Sequence, residues 1–190
     1  MERKIKLEHQ EKTILGFWIY LMTDLIMFGA LFAAFAVLRD SSFGGPTARQ
    51  LFNLPFVLTE TLILLTSSFI CGLMFVASEK KKIGQTIFFM IITFLLGLTF
   101  LIMEISEFKA FFEEGAKPQT SAFLSSYFAL VGTHGLHILA GLIWMLIMFV
   151  AIVTSGLSEG NRRKLNLLSV FWHFLDVVWI FIFTIVYLLR

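Results

Sequence analysis

Residues Gly84–Met103 read GQTIFFMIITFLLGLTFLIM, twenty positions without a single charge. A helix of that length rises about 30 Å, the thickness of a bilayer's hydrocarbon core. Extended to Phe108, this stretch is a candidate membrane span. Working outward, four more runs have the same character. Ile14–Val37 and Asn53–Ala77 precede it, and Ala122–Thr154 and Leu165–Leu189 follow it. Short charged connections separate them. All five must be helical, because an open backbone finds no hydrogen-bond partners in lipid. The expected fold is therefore all-α: one transmembrane domain over residues 1–190, with spans at about 14–37, 53–77, 84–108, 122–154 and 165–189. Span 4 is longer than a bilayer needs, so it must tilt or project. Pro55 fits the first turn of span 2, where a missing N–H costs nothing.

Composition agrees. With 58% hydrophobic and 15% charged residues and a mean hydropathy of +0.86, the chain is not an ordinary soluble domain. A net charge of +2 gives no electrostatic basis for a nucleic-acid partner. Cys71 is alone, so no internal disulfide forms, and it reads as a small buried hydrophobe. Span 1 is preceded by Arg3, Lys4, Lys6 and Lys12, and Ala34-Phe35-Ala36 looks like a signal cleavage site. Its apolar run is too long for a signal core and carries Asp24 at its centre, so it is read as a retained helix.

Basic residues set the orientation. An N-terminus in the cytoplasm puts ten of the fifteen Lys and Arg on that side, including Lys80–Lys82 and Arg162–Lys164. The outer side keeps Arg39, Arg49, Lys109, Lys117 and Arg190. This asymmetry predicts N-terminus in and C-terminus out. The connections are short, so helices adjacent in sequence are expected to be antiparallel neighbours. Trp18 and Tyr187 are expected as interfacial anchors, and Trp172 and Trp179 as a face for another subunit.

Polar groups inside the spans need a reason, because burial in hydrocarbon is costly. At about 1.5 Å per residue, Asp24 and Asp176 both lie roughly 15 Å deep. His173 is one turn below Asp176, His134 is close to the midplane, and His137 is one turn lower. Glu60 lies in the outer half of span 2, and Glu104 and Glu107 near the outer end of span 3. The economical arrangement pairs imidazoles of spans 4 and 5 with carboxylates of spans 1 and 5, all facing the bundle interior. Three readings of this layer stay open. Interhelical hydrogen bonds would hold the helices together. A chain of acids and histidines would relay protons. His134-x-x-His137 with His173 would bind a metal. Gly132, Gly135 and Gly141 permit close helix approach in span 4.

A family resemblance narrows these readings. Phe171-Trp172-His173-Phe174-Leu175-Asp176-Val177-Val178-Trp179 resembles the W-H-F-x-D-V-V-W signature of subunit III of haem–copper terminal oxidases. Thr133-His134-Gly135-Leu136-His137 resembles that family's H-G-L-H element, and Glu107-Phe108 its acidic-aromatic pair. Asp24 stands where many members carry a glutamate, and its shorter side chain shortens the reach. The matches fall in order from about Gly16 to Tyr187. Long members have seven helices, and this chain begins where their third would begin. A five-helix form is similar to subunit III of bo-type ubiquinol oxidases, as are Gly16–Met22 and Leu54–Leu58.

The resemblance implies a division of labour. Subunit I holds the haems and copper, and this chain holds no cofactor. It packs with subunits I, II and IV in a bacterial cytoplasmic (inner) membrane. There it binds phospholipid in a V-shaped gap between spans 1–2 and 3–5, and supports proton uptake and stability. Asp24, Glu60, Glu107, His134, His137, His173 and Asp176 are the expected internal polar network. The alternatives are subunit III of a cytochrome c oxidase, a stand-alone intramembrane proton or solute carrier, and a membrane metalloenzyme.

Overall fold

A computed structural model describes the backbone of residues 2–39, 41 and 53–189, with side chains from residue 11 onward within those ranges. Arg49 and Arg190, and the side chains of Arg3, Lys4 and Lys6, all counted in the charge asymmetry, lie outside the described residues. The described residues form helices α1 (Glu2–Leu38), α2 (Leu54–Glu79), α3 (Ile83–Glu113), α4 (Ala122–Ser155) and α5 (Glu159–Ile182). The last helix continues as a π-turn over Phe183–Leu188. Each of the five is long and apolar enough to cross a membrane.

Local chemistry sets the boundaries. Pro55 occupies the first turn of α2. The Ser121 hydroxyl caps α4 by accepting from the Leu124 N–H at 3.2 Å. Gly156 ends α4 with φ +66°, a left-handed conformation that an L side chain resists. Two residues on, Ser158 caps α5 by accepting from the Asn161 N–H at 3.3 Å. The Asn161 amide then donates back to the Gly156 carbonyl at 2.8 Å, closing a tight helical hairpin.

Helices α2, α3, α4 and α5 pack in a ring, with α2 against both α3 and α5. The α2–α3 pair has the most extensive contact, and α1 lies outside the ring on α4 and, more briefly, on α5. This corrects the expectation that all sequence neighbours pack together, because α1 and α2 do not pair. Among the described residues α2 packs on α3 and α5 rather than on α1, so spans 1–2 do not form the separate group that the expected gap needs. A groove of about 460 Å³ opens instead between α1 and α5.

Trp172 locks the ring. A Cβ placed on Gly97 of α3 would lie 2.7 Å from its indole, and one on Gly141 of α4 would lie 2.9 Å away. Both helices therefore present bare backbone to the ring. The indole N–H donates to Ser67 Oγ of α2 at 3.1 Å. One turn pair further, Trp179 Nε1 donates to Thr61 Oγ1 at 3.1 Å and meets Phe100 edge-on at 4.7 Å. Both tryptophans are buried in the core, so they do not form the subunit-facing surface expected of them. Tyr187 is also buried rather than interfacial, whereas Trp18 is exposed.

Candidate functional site

The polar residues sort into three groups. The first joins α1 to α4, where Asp24 Oδ2 lies 3.6 Å from His137 Nε2. The other ring nitrogen of His137 donates to its own helix, 2.7 Å from the Thr133 carbonyl oxygen, which fixes the imidazole's orientation. Phe28 of α1 packs against both His137 and His134, at centroid distances of 5.3 and 6.3 Å. His134 is fully buried and stacks on Trp179 at 5.3 Å, with Phe100 edge-on at 6.0 Å. Neither of its ring nitrogens has a hydrogen-bond partner among the described residues.

The second group lies at the C-terminal end of α3 and joins α3, α4 and the π-turn. Glu107 Oε2 accepts from Tyr127 Oη and from Tyr187 Oη, each at 3.0 Å, and the two hydroxyls are 2.9 Å apart. Glu104, one turn earlier on α3, rests on the bare backbone of Gly135, where a Cβ would meet its carboxyl at 2.7 Å. Glu60 of α2 and Glu107 are near enough to Glu104 to interact with its charge. Both oxygens of Glu60 and of Glu104 are buried without a hydrogen-bond partner among the described residues. A cavity of about 330 Å³, lined by Asn53, Ser106 and Glu114 among others, reaches Glu107.

The third group lies between α5 and α2. Asp176 is buried and faces Ser68. His173, one turn away, is exposed on the outer surface of the bundle. Its Nδ1 donates to the Ser169 carbonyl oxygen at 2.6 Å.

The structure therefore places Asp24, Glu60, Glu107, His134 and Asp176 inside the bundle, with His137 partly buried. His173 departs from the expectation of an interior position. Only Asp24 and His137 of these seven meet as a facing carboxylate–imidazole pair. Among the described residues, no group of three or more His, Cys, Asp or Glu could hold a metal ion. Sequence reading places Glu104 near the end of span 3 but leaves it out of the network, and it passes over Tyr127, Ser68 and the buried role of Tyr187. Only Glu104 carried a signal, as a carboxylate one turn from Glu107 in an otherwise uncharged run.

The model of the family described as cytochrome c oxidase subunit III matches residues 6–190. The chain belongs to this family. The cytochrome bo(3) ubiquinol oxidase subunit 3 of Pseudomonas aeruginosa is 51% identical over 177 residues, covering 93% of this chain and 85% of that protein. The protein of the same name from Buchnera aphidicola subsp. Baizongia pistaciae is 40% identical over 190 residues, 99% and 98% of the two lengths. As a cytochrome c oxidase subunit III family member, the chain has other oxidase subunits as its partners. The structure gives the family-like motifs physical roles. In the segment Phe171–Trp179 the two tryptophans tie α5 to α2, and in Thr133–His137 Gly135 admits Glu104 while His137 meets Asp24.

Proposed function

We propose that this chain is the cofactor-free subunit III of a proton-translocating quinol:oxygen oxidoreductase in a bacterial cytoplasmic membrane. Its N-terminus faces the cytoplasm and its C-terminus the outside. The observation that carries the reading is 51% identity to a ubiquinol oxidase subunit 3, over 93% of this chain and 85% of that protein. That name favours quinol over cytochrome c as the electron donor of the whole complex. Chemistry belongs to the complex: haems and copper reside in subunit I, and subunits I, II and IV surround this chain.

The chain's own contribution is mechanical. Asp24, Glu60, Glu107, His134, His137 and Asp176 act as polar links that set the register of the helices, with His173 as an outward member. A bundle held this way braces subunit I and so supports its proton uptake and working life. Lipid takes part as well. The end of one acyl chain of a bound phospholipid suits the apolar cleft of about 120 Å³ between α3 and α4, walled by Met90, Phe94, Met145 and Phe149. Hydrocarbon walls that helices leave apart are filled by hydrocarbon.

Purification of the tagged chain in mild detergent tests the reading. Larger haem-bearing subunits should co-elute, and the fraction should consume oxygen with quinol. A monodisperse, colourless chain that transports protons or a solute on its own would refute it in favour of the carrier.

A further inference from the structure

The groove between α1 and α5 differs from the α3–α4 cleft in one respect. Its walls are apolar, with Trp18, Met22 and Leu25 on α1 and Phe174, Val177 and Phe181 on α5, yet His173 opens into it. The Ser169 carbonyl oxygen can only accept, so the 2.6 Å contact puts a proton on Nδ1 of His173. In the neutral ring, Nε2 is then an acceptor, and it has no hydrogen-bond partner among the described residues. On the α2 side His173 Nε2 faces Gly72, where an ideal Cβ would lie 3.8 Å away and no side chain is present to donate.

Depth decides what can satisfy this acceptor. His173 lies nine residues beyond Lys164, so roughly 13 Å into the membrane and close to its midplane. Lipid headgroups do not reach that level, and acyl chains carry no donor. A helix does both: it fills apolar walls and presents a hydroxyl or N–H at a chosen depth. Gly29 of α1 also lines the groove, and an added Cβ there would meet nothing within 4 Å, so bare backbone is open to a close neighbour. We infer that the α1–α5 groove seats a membrane-spanning helix of another oxidase subunit, which donates a hydrogen bond to His173 Nε2. This inference rests on the oxidase reading and names the face through which the chain joins the complex.

The test uses the intact complex in native membranes. A photoreactive benzophenone amino acid replaces Val177 in the groove or, as a control, Val150 on the outward face of α4; both are exposed. Illumination should join the Val177 position to another subunit of the oxidase, with a much lower yield of the same product from Val150. His173→Phe should lower the Val177 product about threefold or more, and His173→Gln, which keeps an acceptor, should restore most of it. Cross-links from Val177 to lipid alone, or to a second copy of this chain, would overturn the inference while leaving the oxidase reading intact. A yield unaffected by His173→Phe would overturn the role of the histidine. Failure of haem-bearing subunits to co-purify would sink the oxidase reading itself, and this inference with it.

Discussion

Gly97→Ala is a one-carbon perturbation whose consequence the structure fixes. The added Cβ would lie 2.7 Å from two atoms of the Trp172 benzo ring, where ordinary contact begins near 3.4 Å. The indole would have to retreat by about 0.7 Å. It has nowhere to go, because Gly141 backs it on the opposite side and Ser67 holds its N–H at 3.1 Å. Overpacking of this kind costs about 1–3 kcal/mol, and a lost indole hydrogen bond adds about 0.6 kcal/mol. Trp172→Phe removes the ring atoms that clash and leaves a void on the same spot. Gly97→Ala made in that background should therefore be neutral or stabilising. The assay is a double-mutant cycle on the purified protein, unfolded by rising SDS in mixed micelles. The reasoning fails if Gly97→Ala is harmless in the natural sequence, or if it costs the same in both backgrounds.

Other expectations follow from the polar groups. Asp24→Leu and His137→Leu should each loosen α1, and their double-mutant cycle should show a coupling of about 0.6–1.7 kcal/mol; strict additivity would mean the 3.6 Å approach holds nothing. Tyr127→Phe and Tyr187→Phe should each destabilise the end of the bundle around Glu107 by about 1 kcal/mol, since each removes a donor to Glu107. Thermal unfolding of the single variants reads this directly, and unchanged midpoints would count against it. Asp176→Leu should weaken assembly of the complex more than it alters the haem spectra; a fully assembled variant complex turning over normally would argue against a structural role for Asp176.

The extents of the helices are largely legible in the sequence, but azimuth is not. Helix α4 was expected over 122–154 and runs Ala122–Ser155, because apolarity begins at its Ser121 cap and stops at Gly156. Helix α5 begins at Glu159, six residues before its apolar run, since hydropathy marks the membrane rather than the helix. The same holds for α1, whose charged first turns are built from good helix formers such as Glu, Lys and Leu. Which side faces inward is a different matter. In a soluble helix polar residues mark the outside. Here lipid and core are equally apolar, so no stripe distinguishes them. His173 and Asp176 look equivalent as letters, yet one is exposed and the other buried. Trp172 was assigned outward for the same reason, although Gly97 and Gly141 had left room for it inside. The Glu107–Tyr127–Tyr187 cluster joins residues 20 and 80 positions apart, a proximity no local pattern records.

The account holds that buried carboxylates and imidazoles here bind helices to one another and leave the redox chemistry to neighbouring subunits. Its most direct test follows the haem absorption when the tagged chain is stripped from its purified complex with a harsher detergent. The absorption should stay entirely with the larger subunits, and the released chain should be colourless and metal-free. Haem, copper or another metal remaining in stoichiometric amount on the released chain would contradict it.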